Sequence, residues 1–332
     1  MMRFALVAAV AMSPFLAAAS PGGGPSFGTF VRDFGPSLVA DCPNPEGIAV
    51  DRNGLVYASS FAFQPVANIC VLDSAGKLLR KIPVAAGATG SAALLGMLDV
   101  PGEGLYVTDF ANGTPGNGRL LRVDRHGHVG AVAGGFTAPN AIARDRHGNL
   151  FVSDSFAGTI TRLRKDGTHR ITWAQGAPLT TTGQPPFGAN GLAFDAEERY
   201  LYVANTGDST VLRYPVKADG SAGPIEVFAK GSALDAATGT AQSLHGADGI
   251  MFDAAGYLWV CANQANELQV LSPEGEVVAR YRGAAGAALD FPASIVFRGQ
   301  TLYVTNLSLA TGGVNSKLSV IVAPYPGLPL WP

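Results

Sequence analysis

The sequence predicts an all-β fold, a six-bladed β-propeller closed by an N-terminal strand that joins the last blade. The main observation is a phrase that occurs six times, at intervals of 44 to 58 residues, a spacing that suits a four-stranded blade. Each phrase has an apolar strand, a tight turn and a second strand rich in aromatic residues and valine. The 42 glycines and 22 prolines among 332 residues indicate many turns between short apolar runs.

Third strands follow the phrases, and a fourth strand follows several of them. The last unit has no fourth strand of its own, and the segment 27–34 can supply it, which would leave no blade incomplete. We therefore predict one propeller domain over residues 26–324, preceded by a flexible leader over 20–25 and followed by a tail over 325–332. The phrases begin at Gly47, Gly96, Ala141, Gly191, Gly249 and Ala293.

The first 19 residues have the pattern of a secretory signal peptide. Arg3 precedes an apolar stretch over 4–12, and the segment ends in three alanines before Ser20. A membrane anchor is the alternative, but the stretch is interrupted at Ser13 and Pro14 and is shorter than a bilayer span. The sequence therefore predicts a periplasmic or secreted protein.

Charge and cysteine content narrow the possible partners. The formal net charge is −2, so the basic surplus typical of nucleic-acid binders is missing, and we expect a monomer that acts on a small molecule.

An exporting compartment permits disulfides. Cys42 and Cys70 are the better pair because Cys261 lies within an apolar strand, although the sequence leaves open whether that pair forms.

Four oxygen-bearing side chains stand just before the repeated phrases of blades one, three, four and five. In a propeller these positions converge on the central axis, where two carboxylates would repel each other strongly. A divalent cation would remove that repulsion, and an all-oxygen ligand set favours Ca²⁺. Mg²⁺, Mn²⁺ and Zn²⁺ are alternatives, zinc being disfavoured by the absence of histidine. The alternative is that each side chain only closes a turn. The four residues are Glu46, Asn140, Asn190 and Asp248.

The stretches 189–195 and 247–260 resemble the regucalcin, gluconolactonase and luciferin-regenerating enzyme superfamily, which is related in fold to diisopropyl-fluorophosphatase and the paraoxonases. The resemblance implies a Ca²⁺-dependent hydrolase of lactones or similar esters. It also implies that the four residues above bind the metal and that Asp248 is the catalytic base. Ala138 stands where sugar-lactone members carry arginine, which disfavours a sugar-acid substrate.

Other residues near the same face have candidate roles. His245, three residues before Asp248, is a proton shuttle or a loop hydrogen-bonder. Aromatic and aliphatic side chains in the loops predict an apolar or aromatic substrate, with packing between blades as the alternative. Polar residues that end the second strands are expected to close loops rather than to support the metal. The loop set is Phe61, Phe63, Phe110, Phe156, Phe187 and Leu307, and the polar set is Asp109, Asp154, Asn205, Asn263 and Asn306.

Two further functions remain open at this point. A propeller can be a non-catalytic binding scaffold with a structural ion, since a fold does not determine a function. It can also be a metal-free lyase or an enzyme like strictosidine synthase, a class that does not need the four oxygen ligands. Metal content therefore separates the lyase from the hydrolase, and turnover separates the hydrolase from the scaffold.

Overall fold

The computed structural model of the chain describes residues 26–27, 30–282 and 289–330. Six four-stranded antiparallel sheets form a ring, so the predicted six-bladed propeller is confirmed. The predicted signal peptide and leader lie outside the described residues. Within the described part, no helix is long and apolar enough to cross a membrane.

The N-terminal strand closes the ring as predicted. Strand β1 (Arg32–Phe34) pairs with β24 (Lys317–Val322), so the last blade contains both ends of the propeller. The first three blades, each written from the axis outward, are β2 Pro45–Val50, β3 Val56–Ser60, β4 Val66–Leu72 and β5 Leu78–Ala85; β6 Leu94–Val100, β7 Gly104–Asp109, β8 Gly118–Val123 and β9 Val129–Phe136; and β10 Pro139–Arg144, β11 Leu150–Asp154, β12 Thr159–Leu163 and β13 Ile171–Gln175.

The other three blades have the same order, and the sixth ends on β24 and β1. Their remaining strands are β14 Ala189–Phe194, β15 Tyr200–Asn205, β16 Thr210–Pro215 and β17 Glu226–Lys230; β18 Ala247–Phe252, β19 Leu258–Ala262, β20 Glu267–Leu271 and β21 Val277–Tyr281; and β22 Pro292–Arg298 with β23 Thr301–Asn306.

Burial decreases from the second strand to the rim of a blade, which explains the sequence pattern. Strand β7 is buried along its whole length, whereas β5 alternates between buried and exposed residues near its end. The turn between the first two strands is held by an aspartate. In blade one, Asp51 Oδ1 accepts hydrogen bonds from the backbone N–H groups of Asn53 and Leu55, both at 2.9 Å. Gly54 follows with φ of 86°, a conformation that favours glycine.

A disulfide joins Cys42 and Cys70, with Cα atoms 6.1 Å apart, so the better pair expected from the sequence does form. It links the segment before β2 to β4 and lies in the core shared by blades one and six. Cys261 is a free and fully buried thiol on β19.

Two segments contain structure that the sequence did not predict. The loop between β17 and β18 begins with helix α1 (Gly231–Thr238), which ends at Gly239 in a left-handed conformation. Residues 325–330 of the predicted tail pack across the lower end of the ring, where Leu328 N–H donates to the Phe252 carbonyl at 2.9 Å and Tyr325 stacks on Tyr257. Residues 328–330 thereby line the lower end of an apolar axial cavity of about 120 Å³.

Candidate metal centre

Two rings of equivalent residues surround the upper end of the axis. In every blade the first pair between the innermost and the second strand is followed by a register shift. One member of that pair lies on the innermost strand, and we call the residue that follows it the axial residue. The other member lies on the second strand, and we call the residue that follows it the flanking residue. From blade one to blade six, the axial residues are Glu46, Leu95, Asn140, Asn190, Asp248 and Ala293, and the flanking residues are Phe61, Phe110, Ser155, Thr206, Asn263 and Leu307.

Glycine next to an axial residue lets neighbouring innermost strands approach closely. A Cβ on Gly47 would lie 2.1 Å from the Leu95 carbonyl oxygen, and one on Gly191 would lie 2.3 Å from the Asp248 carbonyl oxygen. Any other residue would force the strands apart. The six innermost strands contact one another in a closed ring, so the axial residues converge as predicted.

The two axial carboxylates form a buried pair without a cationic partner. Glu46 is 3% exposed and Asp248 is 4% exposed. Burial raises the pKa of Glu46 well above its ordinary value, and repulsion from Asp248 raises it further. Burial raises the pKa of Asp248 to about 7, although the neighbouring amides of Asn263 and Asn190 act to lower it. Among the described residues no lysine, arginine or histidine forms an ion pair with either of them.

Each of these carboxylates also keeps one oxygen free. Glu46 Oε2 and Asp248 Oδ1 are buried and have no hydrogen-bond partner. A buried, unpartnered carboxylate oxygen is costly, because it has lost its water without gaining another donor. Two such atoms from separate blades indicate a place for a positive group.

The two axial asparagines are oriented by flanking hydroxyls. Asn140 Nδ2 donates to Ser155 Oγ at 3.2 Å, and Asn190 Nδ2 donates to Thr206 Oγ1 at 2.9 Å. Each hydroxyl donates in turn to the backbone carbonyl that precedes the next axial residue, at 2.7 and 2.8 Å. The amide nitrogens are thereby engaged with the protein, which fixes each side chain and leaves its oxygen as the atom suited to a cation.

Asn263 has the same supporting role in blade five. Its Nδ2 donates to Asp248 Oδ2 at 2.8 Å, so the expectation that it closes a loop is wrong. The other four strand-end residues do close loops, as favoured from the sequence. Their partners are Arg119 and the N–H groups of Ala93 and Ala111 for Asp109, the N–H groups of Thr137, Ala138 and Ala157 for Asp154, the carbonyls of Pro178 and Thr180 for Asn205, and Asp290 N–H, Lys317 O and Ser319 for Asn306.

The four polar axial residues fit a hard divalent cation, and they are Glu46, Asn140, Asn190 and Asp248. The set offers two carboxylates and two amide oxygens, the donors that Ca²⁺ prefers. The described part of the chain holds no cluster of three or more His, Cys, Asp or Glu side chains that could bind a metal ion. A cation here would therefore depend on the amide oxygens of Asn140 and Asn190. Burial and the charges of Asp248 and Glu46 raise the pKa of the nearby Cys261 thiol, which disfavours a thiolate ligand.

His245 lies on a loop that packs against Asn263, the residue that donates a hydrogen bond to Asp248. A Cβ on the next residue, Gly246, would be 2.0 Å from Asn263 Oδ1. His245 Nδ1 is buried and makes no hydrogen bond, which does not favour the alternative of a loop hydrogen-bonder. The loop position is therefore compatible with the proton-shuttle role.

The structure brings five of the six predicted loop side chains together. Their rings contact one another edge to face or tilted, with centroids 4.7 to 6.0 Å apart. Leu307 is buried beside blade six and does not belong to this group. We call the group the aromatic wall, and it consists of Phe61, Phe63, Phe110, Phe156 and Phe187.

We expect Thr206→Val to weaken metal binding about 10- to 100-fold, because Asn190 loses the hydroxyl that orients its amide. Calorimetric titration of chelated protein with Ca²⁺ would measure the change. Ser59→Ala is the matched control, since Ser59 Oγ also bonds across blades, to the Leu95 carbonyl at 2.9 Å, without contacting a proposed ligand side chain. Equal losses in both variants would contradict a specific role for Thr206.

The chain is a six-bladed propeller with an acidic and amide-rich site at one end of its axis. Residues 169–308 match the family described as SMP-30/Gluconolactonase/LRE-like region, so the resemblance predicted from the repeated phrases is confirmed.

Individual relatives are distant. A 6-deoxy-6-sulfogluconolactonase from Pseudomonas putida is 28% identical over 150 residues, which cover 43% of this chain and 44% of that protein. The chain thus spans less than half of that relative. Among solved structures, a gluconolactonase from Xanthomonas campestris is 16% identical with a TM-score of 0.62, covering 94% of this chain and 99% of that one. The calcium-binding protein regucalcin from Agrobacterium tumefaciens is 18% identical with a TM-score of 0.63, covering 92% and 99%. At these identities the structures establish the fold alone.

Proposed function

We propose that the protein is a metal-dependent hydrolase that opens lactones or similar esters, with Ca²⁺ held by Glu46, Asn140, Asn190 and Asp248. The carrying observation is the pair of buried carboxylate oxygens without a partner, Glu46 Oε2 and Asp248 Oδ1, beside two oriented amides. The named activities of the gluconolactonase relatives support the reaction class, and the calcium-binding description of regucalcin supports the ion.

The bound cation would polarise the ester carbonyl and stabilise the negative charge that develops on its oxygen. Glu46, Asn140 and Asn190 would bind the cation and fix its position on the axis. Asp248 Oδ2 is held by Asn263. Asp248 Oδ1 has no hydrogen-bond partner, so one of its two lone pairs would bind the cation and the other would accept a proton from water. The water oxygen bonds to the carbonyl carbon, the ester carbon–oxygen bond breaks, and the departing oxygen takes up a proton to give a hydroxy acid. His245 is the proposed relay for that proton.

The proposal includes export to the periplasm or the exterior. The disulfide between Cys42 and Cys70 supports it, because disulfides persist mainly in oxidising compartments. Fractionation of cells that express the full chain, with immunodetection of the processed form, tests this part independently of catalysis.

Chelation and reloading test the reaction directly. Protein treated with a chelator should lose turnover of a panel of lactones and aryl esters, and added Ca²⁺ should restore it. Glu46→Gln should remain inactive after reloading, whereas Asp99→Asn, a buried carboxylate at the other end of the innermost strand of blade two, should respond like the wild type. Equal turnover with and without metal would favour a metal-free enzyme, and no turnover in either form would favour a binding scaffold.

A further inference from the structure

The flanking residues divide the upper face into a polar half and an apolar half. In blades three, four and five they are Ser155, Thr206 and Asn263, each hydrogen-bonded to the axial side chain of its own blade. In blades six, one and two they are Leu307, Phe61 and Phe110. The same backbone position thus supports three of the four proposed ligands on one side of the axis and presents carbon on the other side, where Glu46 lies in blade one.

Phe61 and Phe110 of the aromatic wall are flanking residues of this apolar half, and the wall reaches the level of the axial site. Leu95, the axial residue of blade two, packs with Phe110 and Ala138, and Phe61 and Phe187 pack against this group. The wall is also continuous with the polar half, because Phe156 directly follows Ser155, which orients Asn140. A molecule held at the axial oxygens would therefore have the wall beside it.

Two rings of the wall remain exposed to water although their neighbour is buried. Phe63 is 51% exposed and Phe156 is 39% exposed, whereas Phe110 between them is 5% exposed. The rings of Phe63 and Phe156 lie 5.8 and 5.5 Å from that of Phe110. Phe63 also has φ of 49°, a left-handed conformation that is strained for a bulky side chain. Strained backbone that keeps an aromatic ring in solvent points to binding rather than to folding.

We propose that the aromatic wall selects the substrate, which carries an alkyl chain or an aromatic ring on its lactone or ester group rather than a set of hydroxyls. This rests on the proposed function. Phenylalanine rings offer no hydrogen-bond donor, so hydroxyls placed against them would lose water without replacement. An apolar substituent would instead cover the exposed faces of Phe63 and Phe156.

A chain-length series tests the proposal. The probes are γ-butyrolactone, γ-octalactone and γ-dodecalactone, with glucono-δ-lactone as the hydroxylated comparison. For the wild type, kcat/KM should rise with chain length by roughly two- to fourfold per methylene that contacts the wall. The ratio of kcat/KM for dodecalactone to that for butyrolactone should fall at least tenfold in Phe63→Ser and in Phe156→Ser. Phe30→Ser is the matched control, since Phe30 is an exposed phenylalanine outside the wall, and its ratio should not change.

Binding separates this proposal from the proposed hydrolysis. If no lactone is opened, the hydrolase proposal fails, and calorimetry with the unreactive γ-dodecalactam still tests the wall. Wild-type binding that is at least tenfold tighter than that of Phe63→Ser would support the wall on its own. Preference for glucono-δ-lactone, or equal ratios in all variants, would overturn it. The proposal would also be overturned if light scattering showed that Phe63→Ser dissociates an oligomer while the chain-length ratio stays unchanged. In that case the wall would be an interface between copies of the chain.

Discussion

Asp248→Asn is expected to lower turnover at least a thousandfold while making the metal-free protein more stable at pH 8. The amide keeps the shape of the side chain and can still accept the hydrogen bond from Asn263. It removes one of two buried like charges, however, and with it the proton acceptor and a charged ligand. Loss of activity and gain of stability in one variant distinguish a site that holds a cation from a residue that merely supports the fold. Turnover and denaturant midpoints of chelated protein measure the two effects.

Asp99→Asn is the control for the loss of a buried carboxylate. Asp99 is also a desolvated carboxylate, because burial raises its pKa despite the ion pair with Arg125 at 2.9 Å, and Asp99→Asn should leave turnover unchanged. Asp248→Asn that unfolds the chelated protein, or that keeps wild-type activity, would contradict the assignment of Asp248.

The stability of the chelated wild type should fall as the pH rises from about 4 to above 7. In the unfolded chain Asp and Glu ionise near their ordinary pKa values, whereas burial raises the pKa of Asp248 to about 7 and that of Glu46 well above its ordinary value. The folded state therefore binds more protons over this range, and the free energy of unfolding falls until the folded pair is ionised. For Asp248 alone the shift corresponds to a loss on the order of 4 kcal/mol.

Urea denaturation at pH 5 and pH 8 measures the larger part of this loss, since the carboxylates of the unfolded chain already ionise near pH 4. The double variant Glu46→Gln/Asp248→Asn keeps every other titrating group, so it serves as the control. Its stability should not show the fall between pH 5 and pH 8 that is attributed to the two carboxylates. Saturation with Ca²⁺ should also remove most of it, because ligand that binds only the folded state stabilises that state by mass action. A wild-type protein that gains stability between pH 5 and pH 8, relative to the double variant, would show that the two carboxylates are not a buried pair.

The repeat explains why the axial ligands could be predicted from the sequence. Once the six phrases are aligned, the residue before each phrase must face the axis, so Glu46, Asn140, Asn190 and Asp248 follow from strand geometry. Ser155 and Thr206 were missed, although they also occupy equivalent positions. Their role depends on where a side chain points at the end of a strand, and a hydroxyl there closes a loop as readily as it binds an amide.

Features set by loop conformation could not be predicted. The contact of five rings from four loops depends on details such as the left-handed backbone of Phe63, which its residue type disfavours. Helix α1 is only eight residues long, too short for a helical periodicity to stand out beside its glycine ends. The tail was assigned no role because its packing under the ring depends on contacts with blade five that are distant in sequence.

Equilibrium dialysis of chelated protein against Ca²⁺ tests the central claim most directly. We predict one ion bound per chain in the wild type and in Asp99→Asn, and loss of that binding in both Glu46→Gln and Asp248→Asn. Absence of bound Ca²⁺ in the wild type, or binding that survives in both of those variants, would contradict a cation held between the two axial carboxylates.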